Sequence, residues 1–175
     1  MKVIVISDDL SGAAGMASML GMNIPIIPFN RIEIISERTE MIVSIDLETR
    51  NSRDELDRLK FIEKNFSEYK IFTRIDTMLR GSTSTFIEFM ALYYNIAITD
   101  TVPEYRRYTS EGFTFYQNER IDIGRAIPTQ AKHKAKIFNS RTYDDLSKIS
   151  RKCMDENMVP VDPGPLIAVY LRMML

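Results

Sequence analysis

The side chains with the most chemical potential collect in three short stretches, each directly after an apolar run. Ser7-Asp8-Asp9 follows Val3-Ile4-Val5-Ile6, Asp46-Leu47-Glu48-Thr49-Arg50 follows Met41 to Ile45, and Arg74-Ile75-Asp76-Thr77-Met78-Leu79-Arg80-Gly81 runs from the end of the strand Tyr69 to Ile75. Arginine presents a planar fork that makes paired, charge-assisted bonds to a carboxylate, and aspartate accepts from hydroxyls. The plainer alternatives are a helix cap for Asp8 or Asp9, a structural ion-pair network for Arg74, Asp76 and Arg80, and a solvated side chain for Arg50. Two adjacent aspartates exceed what one cap needs, which favours a ligand.

The elements that must position these groups read as alternating strands and helices. Val3 to Ile6, with no polar face, is a strand buried on both sides, and a helix rich in small residues from Ser11 onward, with Ser11 as its cap, brings its positive end beside the two aspartates. Ile24 to Phe29 is an edge strand, because Pro25 and Pro28 remove ladder donors. Met41 to Ile45, Tyr69 to Ile75, Ile96 to Ile98, Ala135 to Phe138 and Met158 to Val161 are further strands. Helices are expected over Ser52–Phe66, opened by a Ser52–Glu55 capping box, over Thr83–Tyr94, and over Thr142–Asn157. Phe113–Tyr116 and Arg120–Ile123 form a hairpin, Glu104–Gly112 a polar loop, and Gly124–Lys134 a connecting loop. The expected fold is therefore α/β: a mostly parallel sheet with helices on both faces, Rossmann-like and three-layered, with a small β-hairpin insertion. Ligands of such sheets bind at the carboxyl ends of the strands, where all three charged stretches lie.

Composition narrows the functional classes. A chain of 175 residues reads as one domain over 1–175. Lys+Arg 23 against Asp+Glu 24, without a run of one sign, leaves no footprint for nucleic acid or an anionic membrane surface. One cysteine and one histidine exclude a disulfide framework and a zinc site of Cys/His clusters. A reducing, cytoplasmic setting is expected. No apolar stretch approaches the roughly 18 residues that span a bilayer. Leu166 to Leu175 has almost no polar face and is expected to lie against a partner, a second copy or the rest of a longer protein.

Asp8-Asp9-Leu10-Ser11-Gly12-Ala13 resembles the D-D-L-T-G-A pattern that opens the four-carbon acid sugar kinases, and Arg74-Ile75-Asp76-Thr77-Met78-Leu79-Arg80-Gly81 resembles their K-I-D-S-T-L-R-G pattern. Asp46 to Arg50 is similar to their D-[ST]-x-[ST]-R segment, and Pro103, Arg107 and Gly112 echo a later proline-led loop. Asp162-Pro163-Gly164-Pro165 extends the likeness more weakly. The chain departs from the family at Arg74 for lysine, at Met78 for threonine and at Phe113 for histidine. The resemblance implies a sugar-binding N-terminal domain whose substrate is a small sugar acid with one carboxylate and several hydroxyls. It implies catalytic roles for Asp9 or Asp8, which would orient or deprotonate the attacking hydroxyl. It implies substrate binding by Asp46, Arg50, Arg74, Asp76, Arg80, Gly81 and Arg107. ATP and magnesium are implied by the same likeness alone: the chain carries no G-x-x-x-x-G-K-[ST] loop, so a separate nucleotide-binding domain or chain is expected to supply them, and the chain by itself is expected to be inactive.

Two other functions compete. A receiver-like signalling domain would use Asp8 and Asp9 as an acidic metal pair and Asp46 as phosphoacceptor, but lacks a late lysine followed by proline. An assembly subunit that binds nothing small has only the apolar C-terminal segment in its favour, which would pair two copies as a homodimer.

Overall fold

Side chains from Val3 to Ile6 offer no face to water, and each is completely buried at the centre of the sheet. The structure, a computed structural model, describes residues 2–49 and 54–175. The first half runs β1 (Lys2–Ser7), α1 (Leu10–Leu20), β2 (Ile26–Pro28), β3 (Ile42–Asp46), α2 (Glu55–Asn65), β4 (Tyr69–Thr73), α3 (Thr83–Tyr93) and β5 (Asn95–Ile98). The second half runs β6 (Tyr108–Ser110), β7 (Phe113–Tyr116), β8 (Glu119–Asp122), β9 (Ala135–Ile137), α4 (Tyr143–Asp155), β10 (Met158–Val161) and α5 (Pro165–Met174).

Parallel pairing gives the orders β2-β3-β1-β4 and β10-β5-β9. The two sheets meet at a parallel bridge between Arg74 and Asp162, where the Ile75 amide donates to the Asp162 carbonyl at 3.1 Å. The strands thus run in the order β2-β3-β1-β4-β10-β5-β9. Pro25 and Pro28 hold β2 at the edge, as their missing donors require. Right-handed crossovers place α1, α4 and α5 together on one face and α2 with α3 on the other. Because the helices that follow the neighbouring strands β1 and β4 lie on opposite faces, a crevice opens at their carboxyl ends.

Several local expectations are revised. Asp9, not Ser11, is the cap of α1: its Oδ1 accepts from the Gly12 amide at 2.7 Å, and Ser11 Oγ donates to the same oxygen at 2.8 Å. The start expected for α2 at Ser52 lies outside the described residues; the helix begins at Glu55 after Asp54. The polar loop before Gly112 contributes β6, so the hairpin is a three-stranded antiparallel meander. The connection from Gly124 to Lys134 contains two short 3-10 turns, at Ile123–Ala126 and Thr129–Ala131. The apolar C-terminal segment is covered by the chain itself over most of its length, while Met173 and Leu175 at its end stay exposed. Residues Pro165 to Leu171 are buried within the chain itself, where α5 packs on α1, α4 and β10.

The meander is tied to the carboxyl end of β5 by buried hydroxyls. Thr99 and Thr101 each lie 2.7 Å from Ser140 Oγ, and Thr109 Oγ1 accepts from the Asp100 amide at 2.8 Å. Each hydroxyl both donates and accepts, so they satisfy one another where water is excluded.

Candidate functional site

The site is built where β1, β3, β4, β5 and β10 end, and each of these strands delivers an aspartate: Asp8, Asp46, Asp76, Asp100 and Asp162. Asp8 is buried, and one of its carboxylate oxygens lies 3.1 Å from where a Cβ on Gly81 would stand. Gly81 takes φ +60°, in the left-handed region, and Leu79 takes φ +55°, so the chain doubles back sharply to lay Gly81 over Asp8. Asp76 holds that turn closed. Its Oδ2 accepts from the Met78 amide at 2.8 Å and from Arg80 Nε at 3.0 Å, while Oδ1 accepts from Arg80 Nη2 at 3.3 Å. Burial pushes the Asp76 carboxyl upward, but the Arg80 guanidinium and the Met78 and Arg80 amides outweigh it and hold the group below the usual range. Arg80 stands 66% exposed at the rim.

Arg74 leans from β4 toward the first turn of α1, where its Nη1 lies 2.5 Å from the position a Gly12 Cβ would take. Only a residue without a side chain at 12 admits the guanidinium there. Arg74 Nε is buried and has no hydrogen-bond partner. Asp46, paired in register with Ser7, receives the Glu48 amide at 2.9 Å. Burial raises its carboxyl, the Glu48 amide opposes this, and the Glu48 and Asp9 carboxylates add to it.

Arg107 is 2% exposed and does not line the crevice directly. Its Nη1 and Nη2 point at the Met78 sulfur, at 3.8 and 3.3 Å, and its guanidinium lies 4.9 Å from the Tyr116 ring centroid. Arg107 Nε is 3.8 Å from Asp100 Oδ2, which also accepts from Thr114 Oγ1 at 2.7 Å. Burial pushes the Asp100 carboxyl up to about 8, against the pull of Arg107 and Thr114. Asp162 takes the Leu166 and Ile167 amides at 2.7 and 3.1 Å and so caps α5; burial nonetheless pushes it up to about 7, while Arg74 draws it down.

Of the residues singled out in the sequence, Asp8, Asp9, Asp46, Arg74, Asp76, Arg80 and Gly81 share this edge, Arg107 sits beneath the Asp76–Arg80 turn, and Arg50 lies outside the described residues. Asp100 and Asp162 were not anticipated. The signal was present: Ile96-Ala-Ile-Thr-Asp100 and Met158-Val-Pro-Val-Asp162 repeat the pattern of an apolar strand running into aspartate that marks Asp8 and Asp46. A groove of about 350 Å³ opens beside the turn, lined by Met78, Leu79, Ser84, Arg120 and Arg125. Among the described residues, no three His, Cys, Asp or Glu side chains gather to hold a metal ion, and no helix is long and apolar enough to cross a membrane.

An open α/β sheet with carboxylates and guanidinium groups at the carboxyl ends of its strands defines a domain that takes small polar ligands at that edge. The chain belongs to the sugar-binding N-terminal domain family, whose model matches residues 3–136. Solved structures agree on the fold. A domain of unknown function from Bordetella bronchiseptica, crystallised with bound citrate as a domain-swapped dimer, is 14% identical with a TM-score of 0.79, over 99% of this chain and 57% of its own. A Haemophilus influenzae protein of the same family of unknown function is 11% identical with a TM-score of 0.70, over 97% and 55%. A Salmonella typhimurium protein is 14% identical with a TM-score of 0.74, over 99% and 55%. The chain thus spans little more than half the length of these structures. No curated protein gives a significant match.

Proposed function

We propose that this chain binds a four-carbon sugar acid at the carboxyl edge of β1, β3 and β4, as the acceptor-holding half of an ATP-dependent kinase. The observation that carries the reading is the placement of Arg74 over Gly12, beside Asp8, Asp9 and the Asp76–Arg80 turn. Arg74, with its partnerless Nε, and Arg80 at the rim take the ligand carboxylate; the aspartates accept from its hydroxyls. Asp9, partly exposed where Asp8 is buried, faces the incoming hydroxyl and orients it for attack. The citrate held by the Bordetella relative shares a hydroxyl and carboxylate with a sugar acid, though it carries three carboxylates.

The described residues offer neither a glycine-rich phosphate cradle nor three His, Cys, Asp or Glu side chains gathered around a metal position. ATP and magnesium belong, in this reading, to a separate nucleotide-binding domain or chain. A homodimer is the assembly this reading favours, given the swapped dimer of the Bordetella relative and the exposed Met173 and Leu175 at the end of α5. The receiver alternative loses support from topology. In a receiver-type sheet β1 separates β2 from β3, whereas here β3 lies between β2 and β1.

The test is calorimetric and thermal titration with threonate and erythronate. Either acid at millimolar concentration raises the melting temperature of the wild-type chain, and Arg74→Ala and Arg80→Ala each weaken the response. An unmoved melting temperature with both acids refutes the proposal.

A further inference from the structure

The pairing of Arg107 with Met78 is chemically uneven. A guanidinium offers several N–H donors in a fixed fork, yet Arg107 is 98% out of water, since it is 2% exposed, and its terminal nitrogens meet a thioether, a weak acceptor. Its Nε is buried without a hydrogen-bond partner, the Asp100 carboxylate being 3.8 Å away, and the remaining cover is the Tyr116 ring. A carboxylate would satisfy this fork far better than sulfur does. Burial also keeps the neighbouring Asp100 carboxyl pushed up to about 8, which weakens its claim on the cation near neutral pH.

Met78 is also the wall between this cation and solvent. It lines the groove of about 350 Å³ that Arg120 and Arg125 share, and its amide is fixed by Asp76, the residue that also pairs with Arg80 at the rim. The sulfur therefore stands between Arg107 and a groove that holds Arg120 and an Arg125–Asp122 pair at 3.6 Å, beside the Asp76–Arg80 turn of the proposed sugar-acid site.

We propose that Met78 is a specificity residue: its side chain masks Arg107 and thereby keeps the site selective for sugar acids with one carboxylate over those with two. This rests on the function proposed above. With Met78 in place a second carboxylate meets a thioether; with a short side chain at 78 it reaches the Arg107 fork.

The experiment compares wild type, Met78→Thr and Met78→Leu, the last preserving bulk without sulfur. Calorimetry with threonate against tartrate, and gluconate against glucarate, reads the preference between one and two carboxylates. Met78→Thr shifts at least one of these ratios about tenfold toward the dicarboxylate, the scale of one charge-assisted bond, while Met78→Leu stays within about threefold of wild type on the same scale. Phenylglyoxal labelling, followed by peptide mass analysis at Arg107, reads the mask without any ligand. Arg107 is protected in wild type and Met78→Leu and modified in Met78→Thr. Equal labelling in wild type and Met78→Thr overturns the mask, and unchanged ratios in a folded Met78→Thr overturn the selectivity. If wild type binds neither monocarboxylate, the function proposed above fails, while the labelling result still decides whether Met78 covers Arg107.

Discussion

Gly12→Ala separates folding from binding at the point where Arg74 meets α1. A Cβ at position 12 would stand 2.5 Å from Arg74 Nη1, 2.9 Å from Ser7 Cβ and 3.2 Å from Asp9 Oδ1. Ser7 ends a central strand and cannot retreat, but the guanidinium is the far end of a flexible side chain and can swing away. Overpacking of this kind costs about 1–3 kcal/mol, offset by up to about 1 kcal/mol gained on replacing a helical glycine by alanine. The net loss of stability is therefore about 3 kcal/mol at most, less than the roughly 5–15 kcal/mol that holds a domain folded, and the variant folds. Binding suffers separately. Displacing Arg74 removes a charge-assisted contact of about 1.5–3 kcal/mol, so the threonate dissociation constant rises by about tenfold to a hundredfold. Calorimetry on Gly12→Ala and Arg74→Ala, with a thermal melt of each, checks both halves. Wild-type affinity in Gly12→Ala would refute the claim that Gly12 sets the position of Arg74; wild-type affinity in Arg74→Ala would remove the guanidinium from the ligand altogether.

Two further outcomes follow from the same structure. Burial pushes the Asp100 and Asp162 carboxyls up to about 8 and about 7 from an ordinary 3.8, so the folded chain retains protons that the unfolded chain has released; the stability this confers is present below about pH 4 and is lost as pH rises through 7 to 8. The melting temperature of wild type therefore falls more steeply between about pH 5 and 9 than that of Asp100→Asn, and parallel pH profiles would show that Asp100 does not titrate in this range. Thr142 and Asp145 form a reciprocal capping box at α4, with Thr142 Oγ1 accepting the Asp145 amide at 3.2 Å and Asp145 Oδ2 the Thr142 amide at 3.1 Å. Thr142→Ala costs about 1 kcal/mol and lowers the melting temperature by about 2–4 °C; no change would mean the box contributes nothing to stability.

What the sequence makes legible is what local pattern can carry. Unbroken apolar runs identify β1 and β3, prolines put β2 at an edge, and aspartate or arginine immediately after a strand marks the carboxyl edge. Asp100 and Asp162 are not named as site residues from the sequence, although Asp162 opens a stretch that resembles the family, because Arg107, Thr114 and Arg74 reach them only through tertiary structure. The burial of α5 is illegible for a related reason. An apolar terminal segment looks unpartnered until β10 is known to insert between β4 and β5, which seats α5 against α1 and α4. The sequence offers Ser11 as a cap and Asp8 or Asp9 as the plainer alternative, and the alternative holds for Asp9, whose extended backbone one step before the helix lets its carboxylate reach the Gly12 amide.

Arg74 links the two halves of the sheet in both its backbone and its side chain. Its backbone makes the bridge to Asp162 that joins β4 to β10, and its guanidinium reaches back across the edge of β1 to the first turn of α1. Asp162 in turn caps α5, which packs on α1. The backbone that carries Asp8, Arg74 and Asp162 thus rests on a closed circuit of strand ends and helix starts, while Arg80 reaches the rim from the turn after β4. Strand ends braced in this way suit a ligand with few atoms, because a small polyol acid has little contact area with which to pull a loose site into shape, and its affinity must come from groups already in place.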